Sequence, residues 1–229
     1  MGWFFFAQII ISAYLYLMKL QHIQVTKTAR YYTLGELNEH TQEVWFVLHG
    51  YAQLAADFIQ DFEVLNNGKR FIVAPEGLNK FYARGFGGKP AATWMTSEDR
   101  EAEITDYINY LNTLSQFLNI PVQVKVVVMG FSQGVATASR FIHQTQQKID
   151  AFVIYAGEIA AELSNPVSIQ ISKLPITYVT GTNDPFITPE KHQRVYDLMN
   201  QLHAKIITFD GGHEIKKEVL MRITESTMN

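Results

Sequence analysis

The chain has 229 residues, a formal net charge of −3, and 47 % hydrophobic and 13 % aromatic residues. That is long enough for one well-buried core, short for two domains, and too apolar for a disordered chain. Lys and Arg are dispersed, with no run that would track a phosphate backbone, so nucleic acid is not expected as a partner. The absence of cysteine excludes disulfides, thiol nucleophiles and thiolate metal sites together, and a reduced cytoplasm fits that composition.

The first segment, Gly2 to Met18 (GWFFFAQIIISAYLYLM), is almost wholly apolar and is followed by Lys19. It sits near the lower limit for a spanning helix, about 17 to 25 residues, and has no basic region or cleavage site of a secretory signal. Three readings are open. It is a membrane anchor, an apolar arm packed on the body or on a second copy, or an extension upstream of a start at Met18. Residues 19–229 then read as one domain.

From Lys19 onward short β-rich runs alternate with helical patterns, which predicts a mainly parallel sheet with helices on both faces, an α/β class. The segment from Ile23 to Leu34 alternates and predicts an antiparallel edge strand or hairpin. Core strands are expected at Glu43–Leu48, Arg70–Ala74, Val124–Met129, Ala151–Tyr155, Ile176–Thr180 and Lys205–Phe209, mostly continuous apolar runs. Asn79–Met95 carries Gly85, Gly87, Gly88 and Pro90 without periodicity and reads as a long loop over the ligand-binding edge. In Glu98–Asn119, Ile104, Ile108, Leu111, Leu114 and Leu118 recur on one helical face, with Ser97, Asp99 and Glu101 as capping and charge signals. Gln133–Gln147, Pro189–His203 and Ile215–Ser226 are expected to be further helices.

The sharpest chemical signal is Gly130-Phe131-Ser132-Gln133-Gly134, a G-x-S-x-G between the strand VKVVVM and the helix QGVATASRFIHQ. Such a turn projects a serine oxygen above the sheet and aims a helix N-terminus at it. The flanking glycines are needed where the backbone approaches its neighbours too closely for a side chain. A serine needs a base to take its proton. Of the seven histidines, His213 in DGGHE follows the strand KIITF and precedes the last helix, which suits the chain order serine, acid, histidine. Asp184, in GTNDP after a predicted strand, is the favoured acid; Glu158 is its rival and Asp210 a third choice. Backbone donors for an oxyanion are expected from Gln133 and from Tyr51 in the loop His49-Gly50-Tyr51-Ala52-Gln53, where His49 reads as a support for the loop. No two histidines stand three or four apart, so no metal motif is present, and the glycines at 85, 87 and 88 do not make a phosphate loop.

With LHGYAQ, GFSQG, GTNDPFIT and GGHE taken together, the chain resembles the phospholipase/carboxylesterase family of α/β hydrolases, which includes acyl-protein thioesterases. The resemblance runs from about Glu43 onward. It implies the α/β-hydrolase fold and hydrolysis of small-molecule carboxylic esters or thioesters through an acyl-serine, without metal or cofactor. It also implies Ser132, Asp184 and His213 as a triad, with Tyr51 and Gln133 as oxyanion donors. Two departures stand out. The family's H-G-x-G-D loop reads His49-Gly50-Tyr51-Ala52-Gln53 here, and Ala92-Thr93-Trp94-Met95-Thr96 matches its Trp-containing loop only loosely. Phe81, Tyr82, Phe86, Trp94 and Met95 are candidates to line an acyl site. Without a long lid insertion, short or medium acyl chains are expected. A peptidase or acyltransferase on the same fold, and a non-catalytic binding protein, are the competing functions.

Overall fold

The computed structural model describes residues 19–227; the apolar stretch from Gly2 to Met18 lies outside them. Seven strands form one sheet in the order β1-β3-β2-β6-β7-β8-β9. They are β1 (Tyr31–Leu34), β2 (Glu43–Leu48), β3 (Arg70–Pro75), β6 (Lys125–Phe131), β7 (Ala151–Tyr155), β8 (Ile176–Gly181) and β9 (Lys205–Phe209). All pairings are parallel except β1 with β3, which is antiparallel. Of the expected edge segment beginning at Ile23, only Tyr31–Leu34 pairs as a strand.

The continuous apolar runs resolve into two faces. Val44, Phe46, Val126 and Val128 join one core cluster, and Trp45, Val47, Val127 and Met129 the other. Successive side chains alternate across the pleat, so a strand buried on both sides must be apolar at every position. The first face is covered by α2 (Arg100–Leu118), through Ile104, Ile108, Leu111 and Leu114, and by α3 (Gln133–Gln144), through Phe141 and Ile142. The second is covered by a short α1 (Ala55–Phe58), the 3₁₀ turn Ile59–Leu65 that follows it, and α7 (Lys217–Thr227). Two single-turn helices, α4 (Ala161–Ser164) and α5 (Ile169–Ser172), and α6 (Pro189–Gln201) complete the order.

Two expectations need correction. The segment predicted as a long loop is a β-hairpin: β4 (Asn79–Phe86) pairs antiparallel with β5 (Pro90–Thr93), and Gly85 takes φ 64° at its turn. Its second strand is short, begins with proline and contains two alanines, so it carries no alternating signature. The capping chemistry expected at Ser97 and Asp99 is also not used. Asp99 adopts φ 47° at the start of α2 with no side-chain cap, and its carboxylate instead meets His22 Nε2 at 2.7 Å.

The strand order reverses between β2 and β6, which are neighbours in parallel register with Leu48 opposite Gly130. In open α/β sheets the crevice outside the carboxyl ends at such a reversal is where ligands bind. The loop His49–Gln53 leaves one of these two strands and Ser132 leaves the other.

Candidate active site

Ser132 joins β6 to α3 with φ 53° and ψ −119°, a conformation that costs a non-glycine residue about 1–3 kcal/mol. Its surroundings hold it there. The Ser132 N–H donates to the Tyr155 carbonyl at 3.0 Å. A Cβ on Gly134 would run into the carbonyl oxygens of Leu48 and His49, and one on Gly130 into the backbone of Gly134 and Val135. Glycine at both positions is therefore a packing requirement. Gln133 occupies the first helical position, where a backbone N–H has no partner within its own helix.

His213 sits in the loop between β9 and α7. Its Nδ1 lies 2.7 Å from Asp184 Oδ2, and because a carboxylate only accepts, Nδ1 carries the hydrogen. The Asp184 side chain is fully buried, and its second oxygen accepts the Phe186 N–H at 2.9 Å. Phe131 and Phe186 pack on the imidazole with ring centroids at 4.9 and 4.8 Å. The ring is thereby fixed in tautomer and in plane. Ser132 and His213 both line one open-mouthed cavity of about 250 Å³.

The alternative acids are occupied elsewhere. Glu158 Oε1 lies 3.0 Å from Lys191 Nζ and Oε2 2.7 Å from Arg194. Burial pushes this carboxyl up, but the two cations more than offset it and hold it below the usual carboxylate range. Asp210 accepts from Asn183 Nδ2 at 3.0 Å.

The loop after β2 is clamped by its histidine. The Gly77 N–H donates to His49 Nε2 at 2.9 Å, so Nδ1 carries the ring hydrogen and donates to the Gly50 carbonyl at 2.7 Å. Burial lowers the His49 pKa to about 4, which keeps the ring neutral. The Gly50 carbonyl and the Tyr51 N–H belong to one planar peptide group. Fixing the oxygen of that group therefore fixes the direction of the N–H. Both departures from the H-G-x-G-D pattern are accommodated here. Ala52 takes φ 61° where that pattern has a second glycine, and Gln53 Oε1 accepts the Gly50 N–H at 2.7 Å.

Of the five residues expected to line an acyl site, Phe81, Tyr82, Trp94 and Met95 do not form the wall of this cavity. Trp94 is fully buried; its Nε1 donates to the His49 carbonyl at 2.8 Å and its ring stacks on His49 at 5.0 Å. Met95 is half-buried, and its carbonyl accepts from Gln133 Nε2 at 2.9 Å. Phe81 stacks on the exposed Tyr51 ring at 5.3 Å, Tyr82 is exposed, and the side chain of Phe86 lies outside the described part of the structure. The physical cause is the hairpin. Pairing β4 with β5, and strapping Thr93 and Trp94 to Gln133 Oε1, turns the tryptophan inward to serve the loop. The wall beside Ser132 is built instead from Gly157, Glu158, Phe186, Ile187, Lys191 and Val195. The signal for most of them was their position just past the carboxyl ends of β7 and β8.

Among the described residues, no group of three His, Asp or Glu side chains is placed to hold a metal ion, and no helix is long and apolar enough to cross a membrane.

A strained serine between parallel strand and helix, at the reversal of a mainly parallel sheet, defines an α/β hydrolase fold. The chain belongs to the serine hydrolase (FSH1) family, whose model matches residues 42–219. No curated protein matches the sequence. Solved structures share the fold at low identity. The Zea mays acyl-protein thioesterase 2 is 19 % identical with a TM-score of 0.66, over 88 % of this chain and 100 % of that one. Esterase PE8 is 18 % identical with a TM-score of 0.67, over 88 % and 99 %. A phospholipase/carboxylesterase from Dyadobacter fermentans is 16 % identical with a TM-score of 0.63, over 90 % and 99 %. The likeness to phospholipase/carboxylesterase enzymes expected from the motifs is thus present in the fold, and the family model is that of the FSH1 serine hydrolases.

Proposed function

We propose that this serine hydrolase is an esterase that cleaves carboxylic esters or thioesters with short to medium acyl chains through an acyl-serine. Ser132 Oγ attacks the substrate carbonyl carbon and His213 Nε2 takes its proton. The carbonyl π electrons move onto oxygen, and that oxyanion is received by the N–H groups of Gln133 and Tyr51. Collapse expels the alcohol or thiol, which takes the proton from His213. Water, deprotonated by His213, then attacks the acyl-serine and releases the acid. Asp184 holds Nδ1–H and stabilises the imidazolium formed in both halves.

The observation that carries this reading is the 2.7 Å bond between His213 and a fully buried Asp184, set behind a cavity that Ser132 also lines. The names of the fold neighbours, an esterase and an acyl-protein thioesterase among them, support esters and thioesters as substrates. The test is fluorophosphonate labelling together with a panel of p-nitrophenyl esters, acyl thioesters and peptides. Wild type should label and turn over the esters or thioesters, whereas Ser132→Ala should neither label nor turn over, with a loss of about 10⁶-fold in kcat. Undiminished hydrolysis by Ser132→Ala would falsify the reading, and turnover confined to peptides would move the protein to the peptidases.

A further inference from the structure

A second cavity adjoins the one at Ser132. It is larger, about 900 Å³ against about 250 Å³, and Ala136, Glu158 and Val195 line both. Small-molecule sites run to about 300–1,000 Å³. The space at the serine alone is thus small for an ester with a long tail, and the larger space beside it is ample. The lining of the larger cavity is mixed: Ile159, Pro166, Val167, Leu198 and Met199 supply an apolar wall along which a hydrocarbon chain can lie, and Arg100, Arg140 and Glu162 form a charged wall.

The junction between the two is charged. Glu158, on the segment after β7, reaches across to α6, where Lys191 Nζ and Arg194, three residues apart on one helix face, hold its two carboxylate oxygens at 3.0 and 2.7 Å. Lys191 is itself anchored to the Phe186 carbonyl at 3.3 Å. A methylene chain passing this point must lie against an ion cluster and strip water from it without offering a hydrogen bond, which is unfavourable. The acyl part of a substrate stays tethered to the serine after the leaving group departs, so it is the acyl chain that must find room beside Ser132.

We propose that the Glu158–Lys191–Arg194 cluster is the barrier that sets acyl-chain length: it confines the chain to the small cavity, and the larger cavity is a latent subsite for long acyl chains. This deepens the esterase reading and rests on it.

The experiment is kcat/KM for p-nitrophenyl acetate, hexanoate and decanoate in wild type, Glu158→Ala, Arg194→Ala and the double variant Glu158→Ala/Ala161→Trp, with melting curves for each. Ala161 is exposed on the wall of the larger cavity, so tryptophan there fills the space with little disturbance to the core. Glu158→Ala should raise the decanoate-to-acetate ratio at least about 10-fold through KM, since each methylene newly buried is worth about fourfold. Arg194→Ala should raise it by less, and the double variant should return it to the wild-type value. An unchanged ratio in Glu158→Ala and Arg194→Ala sinks the proposal. A gain that Ala161→Trp does not cancel removes the larger cavity from it. Equal collapse on all three esters in Glu158→Ala, with a normal melt, makes Glu158 part of the proton machinery and overturns the barrier. If Glu158→Ala does not fold, the Arg194→Ala ratio decides. Failure of the underlying esterase reading appears separately, as hydrolysis that survives Ser132→Ala.

Discussion

The two sides of the crevice at Ser132 are built by different rules. On the side of β2 and the hairpin, the groups that set the course of the loop are held by backbone and ring partners. His49 bonds to Gly50 and Gly77, Trp94 bonds to His49, and Gln133 straps Thr93 to Met95. At the centre of that side His49 and Trp94 are both fully inaccessible, while Tyr51 and Tyr82 at its rim are exposed. On the side of β7, β8 and α6, cavities open and partly exposed side chains meet in ion pairs. Electrostatic stabilisation of a developing charge requires donors held in place before reaction, and rigidity on the first side is suited to that. Accommodating variable substrate atoms requires space and adjustable walls, and the second side supplies them.

His213 and Asp184, the proposed base and acid, lie on the second side in the loops after β9 and β8, and substitution there should have the largest effect. Asp184→Asn keeps the shape but offers His213 an amide instead of a carboxylate, so the histidine loses its enforced tautomer. A fall of about 10⁴-fold in kcat is expected in steady-state ester assays near neutral pH. A loss below tenfold would transfer the acid's role elsewhere, with Glu158 the first residue to substitute next.

The contrast between sides is sharpened by His49, which touches no substrate in this reading yet orients the Tyr51 N–H. His49→Ala should lower kcat by about 10²–10³-fold, the scale of losing one oxyanion donor, while KM for a short ester moves little. A pure loss of stability, with normal kcat in the folded fraction, would show that the clamp is only structural.

The same histidine makes a pH prediction. Its folded pKa, lowered to about 4 by burial, lies below the 6.5 of an unfolded chain, so below pH 6.5 the unfolded state binds the additional proton. Stability contributed by the neutral ring is complete above pH 6.5 and is lost as pH falls towards about 4. The full difference is on the order of 3 kcal/mol. Urea unfolding of wild type and His49→Asn at pH 7.5 and pH 4.5 checks it: the two should diverge in their pH dependence by roughly that amount. Parallel curves would mean that the ring is protonated in the fold.

The smallest effect is expected at Ala52. Glycine there relieves a φ of 61° in the clamped loop and should stabilise the protein by about 1 kcal/mol or less, with kcat unchanged. A drop in kcat from Ala52→Gly would indicate that stiffness in this turn contributes to catalysis directly.

How much of this is readable along the chain depends on how local the cause is. The parallel strands announce themselves because a strand buried on both faces must be apolar at every position, as β2 and β7 are. The turn at Ser132 is readable because glycines two residues to either side answer to clashes within the strand–turn–helix unit and with the adjacent strand. The hairpin is not, since a strand reading Pro-Ala-Ala-Thr carries no period and exists only because β4 pairs with it. The helix start at Asp99 is misread for a related reason: its side chain answers a residue 77 positions away, not the helix it precedes.

What the amino-acid order determined by itself is the order of the parallel core strands and the longer helices, the class of fold, and the candidates Ser132, Asp184 and His213 in their order along the chain. Only the tertiary structure decided which of several carboxylates meets the imidazole, because Asp184 and Glu158 both leave strand ends and only their neighbours distinguish them: Phe186 N–H and His213 for one, Lys191 and Arg194 for the other. It also decided that Trp94 faces inward, while Phe186, Ile187 and Val195 face the serine. Residue type states what a side chain can do; which cavity it does it in depends on contacts between segments far apart in the chain, and these exist only once the sheet has brought its strand ends together.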